Sequence, residues 1–323
     1  MNPNDLSQHR LNIIKIWNSV YDGARQCVKD RGYTYIGNMP EVAGISGACE
    51  STELLFKLDF FGSQAYLVQS GQLPLELLTP HFKKVYCEIQ SHRAESAVDK
   101  RHLTQFSLFE IELLGGLEDL LVEIEVIVKA MMKSVASDCR DELLFFGQSP
   151  YSLEKRLNKP FFRMTYTEAV EDLKPIFPIL TWGDDMKAEH EKVLTDRYGP
   201  MFLTHFPKDL KFFNMLVNSD NPMVVDSADL LLPYSGESGG AAAREHEYDK
   251  IVKRLKESSM YKHLIELGGS DKDFEWYLSA HRNKVIPSHA GAGLGINRIV
   301  SYLLGLDDIR KASPFVSNRE NLF

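Results

Sequence analysis

The amino-acid sequence predicts an α+β domain: a mainly antiparallel sheet with helices packed on it. Three observations carry that expectation. Strand-like runs come early and in series within residues 33–113. Helical runs do not alternate with them one for one, as a doubly wound parallel sheet would require. The chain has 323 residues, enough to bury a sizeable core without disulfides or a structural metal.

The elements follow in order. Across residues 7–30, Leu11, Ile14, Trp17, Val20 and Ala24 recur at three- and four-residue intervals, a helix that Gly32 ends. Residues 33–42 read as a short strand carrying Pro40, and GISGACESTELLFKLDFFGSQAYLVQSGQL as a loop and then a hairpin turning near Gly62-Ser63. A helix over 74–81, a strand over 84–89, a charged loop over 96–101 and a strand over 105–113 come next. Residues 117–144 read as one long helix, with Leu120, Ile124, Ile127, Met131 and Val135 at helical spacing, closed by Ser149-Pro150. Helices are expected over 165–172 and 184–198, and strands over 200–205, 212–217 and 223–232.

Composition excludes several classes. With 37 Lys+Arg against 45 Asp+Glu, the net charge of -8 argues against broad nonspecific nucleic-acid binding, though not against a local basic groove. Cys27, Cys49, Cys87 and Cys139 lie far apart without a CxxC pair. The opening MNPNDLSQHRLN lacks the basic start and apolar run of a signal peptide, and no apolar stretch is long enough for a membrane span. A reducing, cytoplasmic setting is expected.

Two motifs fail on context. The run from Gly291 to Gly295 has GxGxG spacing, follows Pro287 and has no βαβ unit after it, so it is not a dinucleotide fingerprint. Gly236-Glu237-Ser238-Gly239-Gly240 matches GxSxG, with Asp249 and His281 following in the order of an α/β-hydrolase. A nucleophile elbow needs a strand running straight into the serine, and Pro233-Tyr234-Ser235 interrupt it. No P-loop, HExxH or EF-hand pattern occurs, and the ten histidines form no metal-ligand spacing.

A third constellation holds together. In residues 85–113 two strands flank a loop, with Arg93, Glu95, Arg101, His102 and Phe106 around its base. Arg93 suits an α-phosphate through bidentate bonds, Glu95 can accept from an adenine amino group, and Phe106 offers a flat face to a base. An RxE alone would better fit a solvated hairpin with surface ion pairs. Residues 291–306 add a glycine turn entering a helix with Arg298 on its first turn, placed to stack on a base. Residues 228–245 add Asp229 and Glu237, suited to hold Mg²⁺ near phosphates, and Arg244, suited to a carboxylate or amide of a small substrate.

On these residues the chain resembles the catalytic core of class II aminoacyl-tRNA synthetases, and within them the archaeal and eukaryotic-type asparaginyl-tRNA synthetases, from about residue 8 to the end. Pro40 in YIGNMPEV is similar to the motif 1 proline of the dimer interface. Arg93-Ala94-Glu95 with Arg101-His102-Leu103 and Phe106 is similar to motif 2, and Gly293-Leu294-Gly295 with Arg298 to motif 3. LVQSGQLPLE, HFPKDLKFFNM and the stretch 236–244 resemble the family's amino-acid and metal contacts. The resemblance implies a six-stranded antiparallel sheet flanked by helices, a homodimer, ATP bound in a bent form, and an aminoacyl adenylate formed with release of pyrophosphate. It implies that Arg93 holds the α-phosphate, Glu95 reads adenine, Phe106 and Arg298 sandwich the base, and Arg101 and His102 face the nucleotide's phosphates. It places Mg²⁺ on Asp229 and Glu237, and the amino acid against Glu50, Gln72, Glu110, Gly240 and Arg244.

The departures shape the functional expectation. Gln105 stands where Glu is usual, Ser51-Thr52 where Gly-Gly is, Gly240-Ala241-Ala242 where Gly-Gly-Ser is, and Asn297 where an acid is. Leu75 replaces the lysine of aspartate-specific relatives, favouring a neutral amide. Residues 1–323 read as a single catalytic domain without the N-terminal anticodon-binding barrel. The expected protein is a stand-alone ligase that uses ATP and Mg²⁺ to adenylate asparagine, aspartate or a close analogue. It would pass the acyl group to ammonia or another small amine, with tRNA binding weak or absent. The alternative is an asparaginyl- or aspartyl-tRNA ligase acting without its own anticodon domain. A noncatalytic regulatory paralogue would not need the two metal carboxylates and both arginines together.

Overall fold

The computed structural model describes residues 6–44, 54–266, 269–283 and 285–321. Helix α1 (Gln8–Asp30) is capped by the Ser7 hydroxyl, which accepts from the Arg10 backbone N–H. Strands β1 (Thr34–Tyr35) and β2 (Val42–Ala43) precede the hairpin of β3 (Lys57–Phe60) and β4 (Ser63–Leu67). Short helices α2 (Gln72–Glu76) and α3 (Thr79–Phe82) lead to a long hairpin, β5 (Lys84–His92) and β6 (Gln105–Leu114). Helices α4 (Leu117–Asp138), α5 (Arg140–Phe145) and α6 (Pro150–Leu157) follow, then β7 (Phe162–Thr165), α7 (Tyr166–Leu173), α8 (Ala188–Tyr198), β8 (Met201–Thr204), β9 (Ser227–Leu232) and β10 (Gly236–Ala243). The chain ends through α9 (Tyr248–Glu257), α10 (Ser259–Glu266), α11 (Glu275–Arg282), β11 (His289–Gly295) and α12 (Ile296–Leu304).

The main sheet has eight strands in the order β1-β5-β6-β11-β10-β9-β8-β7. Its central six, β5 to β8, are antiparallel to their neighbours, while β1 joins β5 and β7 joins β8 in parallel. The α+β class therefore stands, but the expected six-stranded antiparallel sheet is an eight-stranded mixed one. Its extra edge strands of two and four residues are too short to carry a readable alternation. A separate three-stranded sheet runs β2-β4-β3.

Alternation along the strands separates a core face from a site face. Phe109, Ile111 and Leu113 of β6, Ala228, Leu230 and Leu232 of β9, and Ala290, Ala292 and Leu294 of β11 join Ile13, Ile16 and Val20 of α1 and Ile124, Ile127 and Met131 of α4 in one apolar core. The intervening residues, Glu110, Glu112, Asp229, Gly291 and Gly293, take the opposite face. Gly291 sits opposite Glu112 in register, and a Cβ on it would stand 1.8 Å from a carboxylate oxygen of Glu112. Glycine there is a space requirement, not a turn signal.

Several expected elements are corrected by this packing. The residue 33–42 strand splits into β1 and β2, with Pro40 in the connection because it lacks a ladder donor. The long helix over 117–144 breaks at Cys139 (φ -122°, ψ 41°), and Ser149-Pro150 opens α6 rather than closing a unit. Residues 212–217 form a turn with isolated bridges at Met215 and Val217, while the glycine turn at 291–295 is the central strand β11. Ser238 lies within β10, bonded to the Ser235 hydroxyl and the Gly236 carbonyl, so no nucleophile elbow forms. On α1 the buried face is Ile13, Ile16, Val20, Ala24 and Val28, whereas Leu11 and Ile14 are exposed. Among the described residues no helix is long and apolar enough to cross a membrane, and Cys27, Cys87 and Cys139 are free thiols.

Candidate active site

A cavity of about 290 Å³ opens on the site face of the sheet. Gln72, Arg93, Glu95, Arg101, His102, Phe106, Glu110, Asp229, Glu237, Gly240, Arg244 and Arg298 all line it. Glu50 and Ser51-Thr52, also singled out from sequence, lie outside the described residues. Residues as far apart in sequence as Gln72 and Arg298 converge because β6, β11, β10 and β9 are neighbours in the sheet.

One end of the cavity is cationic. The Arg93 guanidinium lies over the Phe106 ring at 5.4 Å, and its Nε is buried without a hydrogen-bond partner among the described residues. Arg298, on the first turn of α12, donates to the Glu237 carbonyl. Arg101 pairs with Glu191 of α8 at 2.7 Å, and Gly236 beneath them has φ +68°, where a Cβ would stand 2.3 Å from the Glu191 carboxylate. At the rim, His102 Nδ1 meets Asp99 at 2.8 Å, and Glu95 accepts from the Ala97 N–H at 2.9 Å.

Asp229 and Glu237 stand on adjacent antiparallel strands. Desolvation works upward on the Glu237 carboxyl, but Lys211, Arg298, Arg93 and Arg101 outweigh it and hold the group below the ordinary carboxylate range. Asp229 receives the Lys211 ammonium on both oxygens at 2.9 Å. Among the described residues no set of three or more protein ligands surrounds this point. Two carboxylates nevertheless fit Mg²⁺, which takes one or two protein carboxylates when nucleotide phosphates complete its shell.

The other end is a buried polar network. Arg244 donates through Nε and an Nη to Glu112 at 3.1 and 2.7 Å and to Gln72 at 2.9 Å, and lies 3.6 Å from Glu76. Glu76 accepts from Asn214 and from the Tyr277 hydroxyl, each at 2.7 Å. His289 sets Nδ1 against the Pro287 carbonyl at 2.8 Å and Nε2 against Glu76 at 3.3 Å. Both neighbours are acceptors, so the ring must donate twice, as imidazolium. Burial lowers the His289 pKa, but the Glu76 hydrogen bond and charge raise it overall. Burial dominates at Glu112 and pushes its carboxyl up to about 7 against the pull of Arg244. Burial also raises Glu110, which accepts from the Ser70 hydroxyl at 2.6 Å and the Gly71 N–H at 2.7 Å.

The sequence reading did not single out Glu76, Glu112, Lys211, Glu191, Asn214, Tyr277 or His289, although the stretches LVQSGQLPLE and HFPKDLKFFNM that it quoted contain Glu76, Lys211 and Asn214. One signal was available: Glu110 and Glu112 stand two apart in an otherwise apolar strand, which puts both on one face. No local pattern marks Glu191, Tyr277 or His289.

The family model for class II tRNA synthetases (D, K and N) matches residues 5–319. The asparagine–tRNA ligase of Pyrococcus abyssi is 38% identical over 274 residues, 84% of this chain and 61% of that protein. That of Thermococcus gammatolerans is 34% identical over 314 residues, 96% of this chain and 70% of that protein. Among solved structures, the asparaginyl-tRNA synthetase of Pyrococcus horikoshii complexed with asparaginyl-adenylate superimposes with a TM-score of 0.88 at 33% identity, covering 98% of this chain and 70% of that one. The asparaginyl-tRNA synthetase of Entamoeba histolytica, also with asparaginyl-adenylate, gives 0.82 at 29% identity, covering 98% and 69%. The chain thus spans between 61% and 70% of the length of these relatives. They overturn one expectation: the relatives are tRNA ligases, and none supports transfer of the acyl group to ammonia or another small amine.

Proposed function

Because the chain belongs to the class II tRNA synthetases of the D, K and N group, we propose that it adenylates asparagine with ATP and esterifies tRNA with it. The observation that carries this reading is the single cavity that joins an arginine-rich end to an end lined by Gln72, Glu110 and Arg244. An oxygen of the asparagine α-carboxylate attacks the α-phosphorus of ATP, the bond to the β-phosphate oxygen breaks, and pyrophosphate leaves. Arg93 meets the α-phosphate and Arg298 and Phe106 hold the base, so charge is in place before the transition state forms. Glu95 accepts from the adenine amino group, while Arg101 and His102 lie toward the outer phosphates. Mg²⁺ on Asp229 and Glu237, when bound, neutralises phosphate charge. The terminal ribose hydroxyl of tRNA then attacks the adenylate carbonyl and AMP departs.

Side-chain choice lies with Gln72, Glu110, Gly240 and Arg244. Arg244 already bonds Glu112 at 2.7 Å and lies 3.6 Å from Glu76. A substrate carboxylate would add a further negative charge to that buried group, whereas an amide adds none. Leu11 and Ile14, turned outward on α1 at 39% and 41% exposure, fit a twofold contact in a homodimer.

Exchange of pyrophosphate into ATP, compared between asparagine and aspartate, tests activation, and charging of an asparagine tRNA transcript tests transfer. Asparagine-stimulated exchange followed by tRNA charging is expected. Exchange favouring aspartate, or an adenylate that tRNA cannot discharge, would overturn the reading.

A further inference from the structure

Lys211 follows the short 3-10 turn Lys208–Leu210 and lines the reaction cavity from a backbone that is held on several sides. Arg254 of α9 donates to the backbone carbonyls of Met215, Phe212 and Lys208, the latter two at 3.1 and 3.4 Å. The Lys208 N–H donates to the Met223 carbonyl at 3.0 Å, and bridges join Pro207 to Val224 and Val217 to Val225. The side chain is therefore the part of Lys211 that can move. It is a compact ammonium on a flexible alkyl stem, without the planar fork that fixes an arginine to one partner.

The ammonium stands at the centre of the Asp229 carboxylate. It is 2.9 Å from each of the two oxygens, the position of a cation shared equally by both. Asp229 is also one of the two carboxylates that suit Mg²⁺. At the other, Glu237, burial works upward on the carboxyl, and Lys211 is the first of the cations that outweigh it. One ammonium thus serves both groups. A divalent cation brought to the same Asp229 oxygens would meet that ammonium at close range, in a place where little water screens the repulsion. The two cannot both hold Asp229 at full strength.

We infer that Lys211 is an exchangeable counter-ion of the metal carboxylates: its ammonium and a divalent cation compete for Asp229, and nucleotide phosphates tip the exchange by offering the ammonium another partner. This rests on the assignment of Asp229 and Glu237 made in the ligase reading above. Lys211 lines the same cavity as Arg93, Arg101 and Arg298, so phosphates met by those arginines share a space with its ammonium. The exchange keeps charge near balance throughout. Without nucleotide the ammonium faces the carboxylates, and with it the ammonium faces phosphate while the carboxylates face the metal. The consequence is selectivity: a bare divalent cation binds weakly, and one that arrives with nucleotide phosphates binds well.

The test titrates Mn²⁺ into the full chain without nucleotide, read by loss of the electron paramagnetic resonance signal of the free ion. Lys211→Met and Lys211→Gln remove the charge, the second keeping a donor for Asp229. Lys211→Arg keeps the charge, and Asp229→Asn/Lys211→Met removes the carboxylate as well. Both neutral variants should bind Mn²⁺ at least about tenfold more tightly than the parent, the arginine variant as weakly as the parent, and the double variant should lose the gain. Mn²⁺ should also raise the thermal midpoint of the neutral variants more than that of the parent. Equal Mn²⁺ affinity in the parent and a folded neutral variant would overturn the inference, as would a gain that survives Asp229→Asn. Failure of both neutral variants to fold at any Mn²⁺ concentration would overturn it too, because a metal able to replace the ammonium would restore the charge balance they lack. Pyrophosphate exchange and tRNA charging by the parent are assayed separately. Their presence alongside equal Mn²⁺ affinities would strike this inference alone, whereas their absence with the Mn²⁺ gain intact would strike the ligase reading and leave the counter-ion role standing.

Discussion

Lys211 Nζ stands 2.9 Å from each carboxylate oxygen of Asp229, and the two side chains retain only 9% and 11% of their exposure. Lys211 thereby ties the loop after Lys208 to the strand that carries a candidate metal ligand. The same ammonium lies 3.9 Å from the centre of the Phe206 ring, so both its charge and its stem are held.

Removing one partner of such a pair leaves the other charge buried without compensation. Lys211→Met should lower stability by about 3 kcal/mol. Urea unfolding followed by circular dichroism reads this directly, and an unchanged midpoint would show that Asp229 does not depend on Lys211.

Arg93 and Arg298 are proposed to meet phosphate and base, and each can be tested singly. Arg93→Ala and Arg298→Ala should each slow asparagine-dependent pyrophosphate exchange by about a hundredfold or more, the usual effect of losing one preorganised charge at a reacting centre. Exchange by Arg93→Ala above a tenth of the parent rate would contradict its role at the α-phosphate.

Glu112 makes stability depend on pH. Its carboxyl is raised from the ordinary 4.5 to about 7 in the folded protein, chiefly by burial, so the folded chain keeps a proton that the unfolded chain has already released. Stability contributed by this group therefore falls as pH rises from about 4.5 to about 7 and is level above that. Glu112→Gln should flatten the decline of the thermal midpoint over this range. An identical slope in the variant would mean that Glu112 is already ionised in the folded state.

The outward Leu11 and Ile14 of α1 predict association through that face. Light scattering at micromolar protein should give a dimer, and Leu11→Arg with Ile14→Arg should give a monomer. A monomeric parent protein would end the dimer proposal.

The candidate site was largely legible where residue chemistry is local. Arg93, Glu95, Arg101, His102 and Phe106 fall within one hairpin, and Asp229, Glu237 and Arg244 within two adjacent strands, so their clustering follows from short stretches of chain. Helix α1 was legible for the same reason: spacing picked out Val20 and Ala24 correctly, but Leu11 and Ile14 where Ile13 and Ile16 are the buried residues. Apolar residues sit on two sides of its first turns, and only the partner helix α4 decides which side is covered.

The sequence by itself determined the α+β class, the antiparallel centre of the sheet and the chemical types gathered at the reaction cavity, because periodicity and side-chain chemistry are written residue by residue. Tertiary structure alone decided the rest. Residues 291–295 became a central strand, not a turn, because their glycines leave space for the carboxylate of Glu112. Glu76, Tyr277 and His289, from α2, α11 and β11, became one buried network with Arg244. The loop after Lys208 was fixed in place when Arg254, more than 40 residues on, donated to its carbonyls. Such relationships depend on which surfaces meet, and the energy of burying a charge or a carbonyl is defined only once its neighbours from distant parts of the chain are in place.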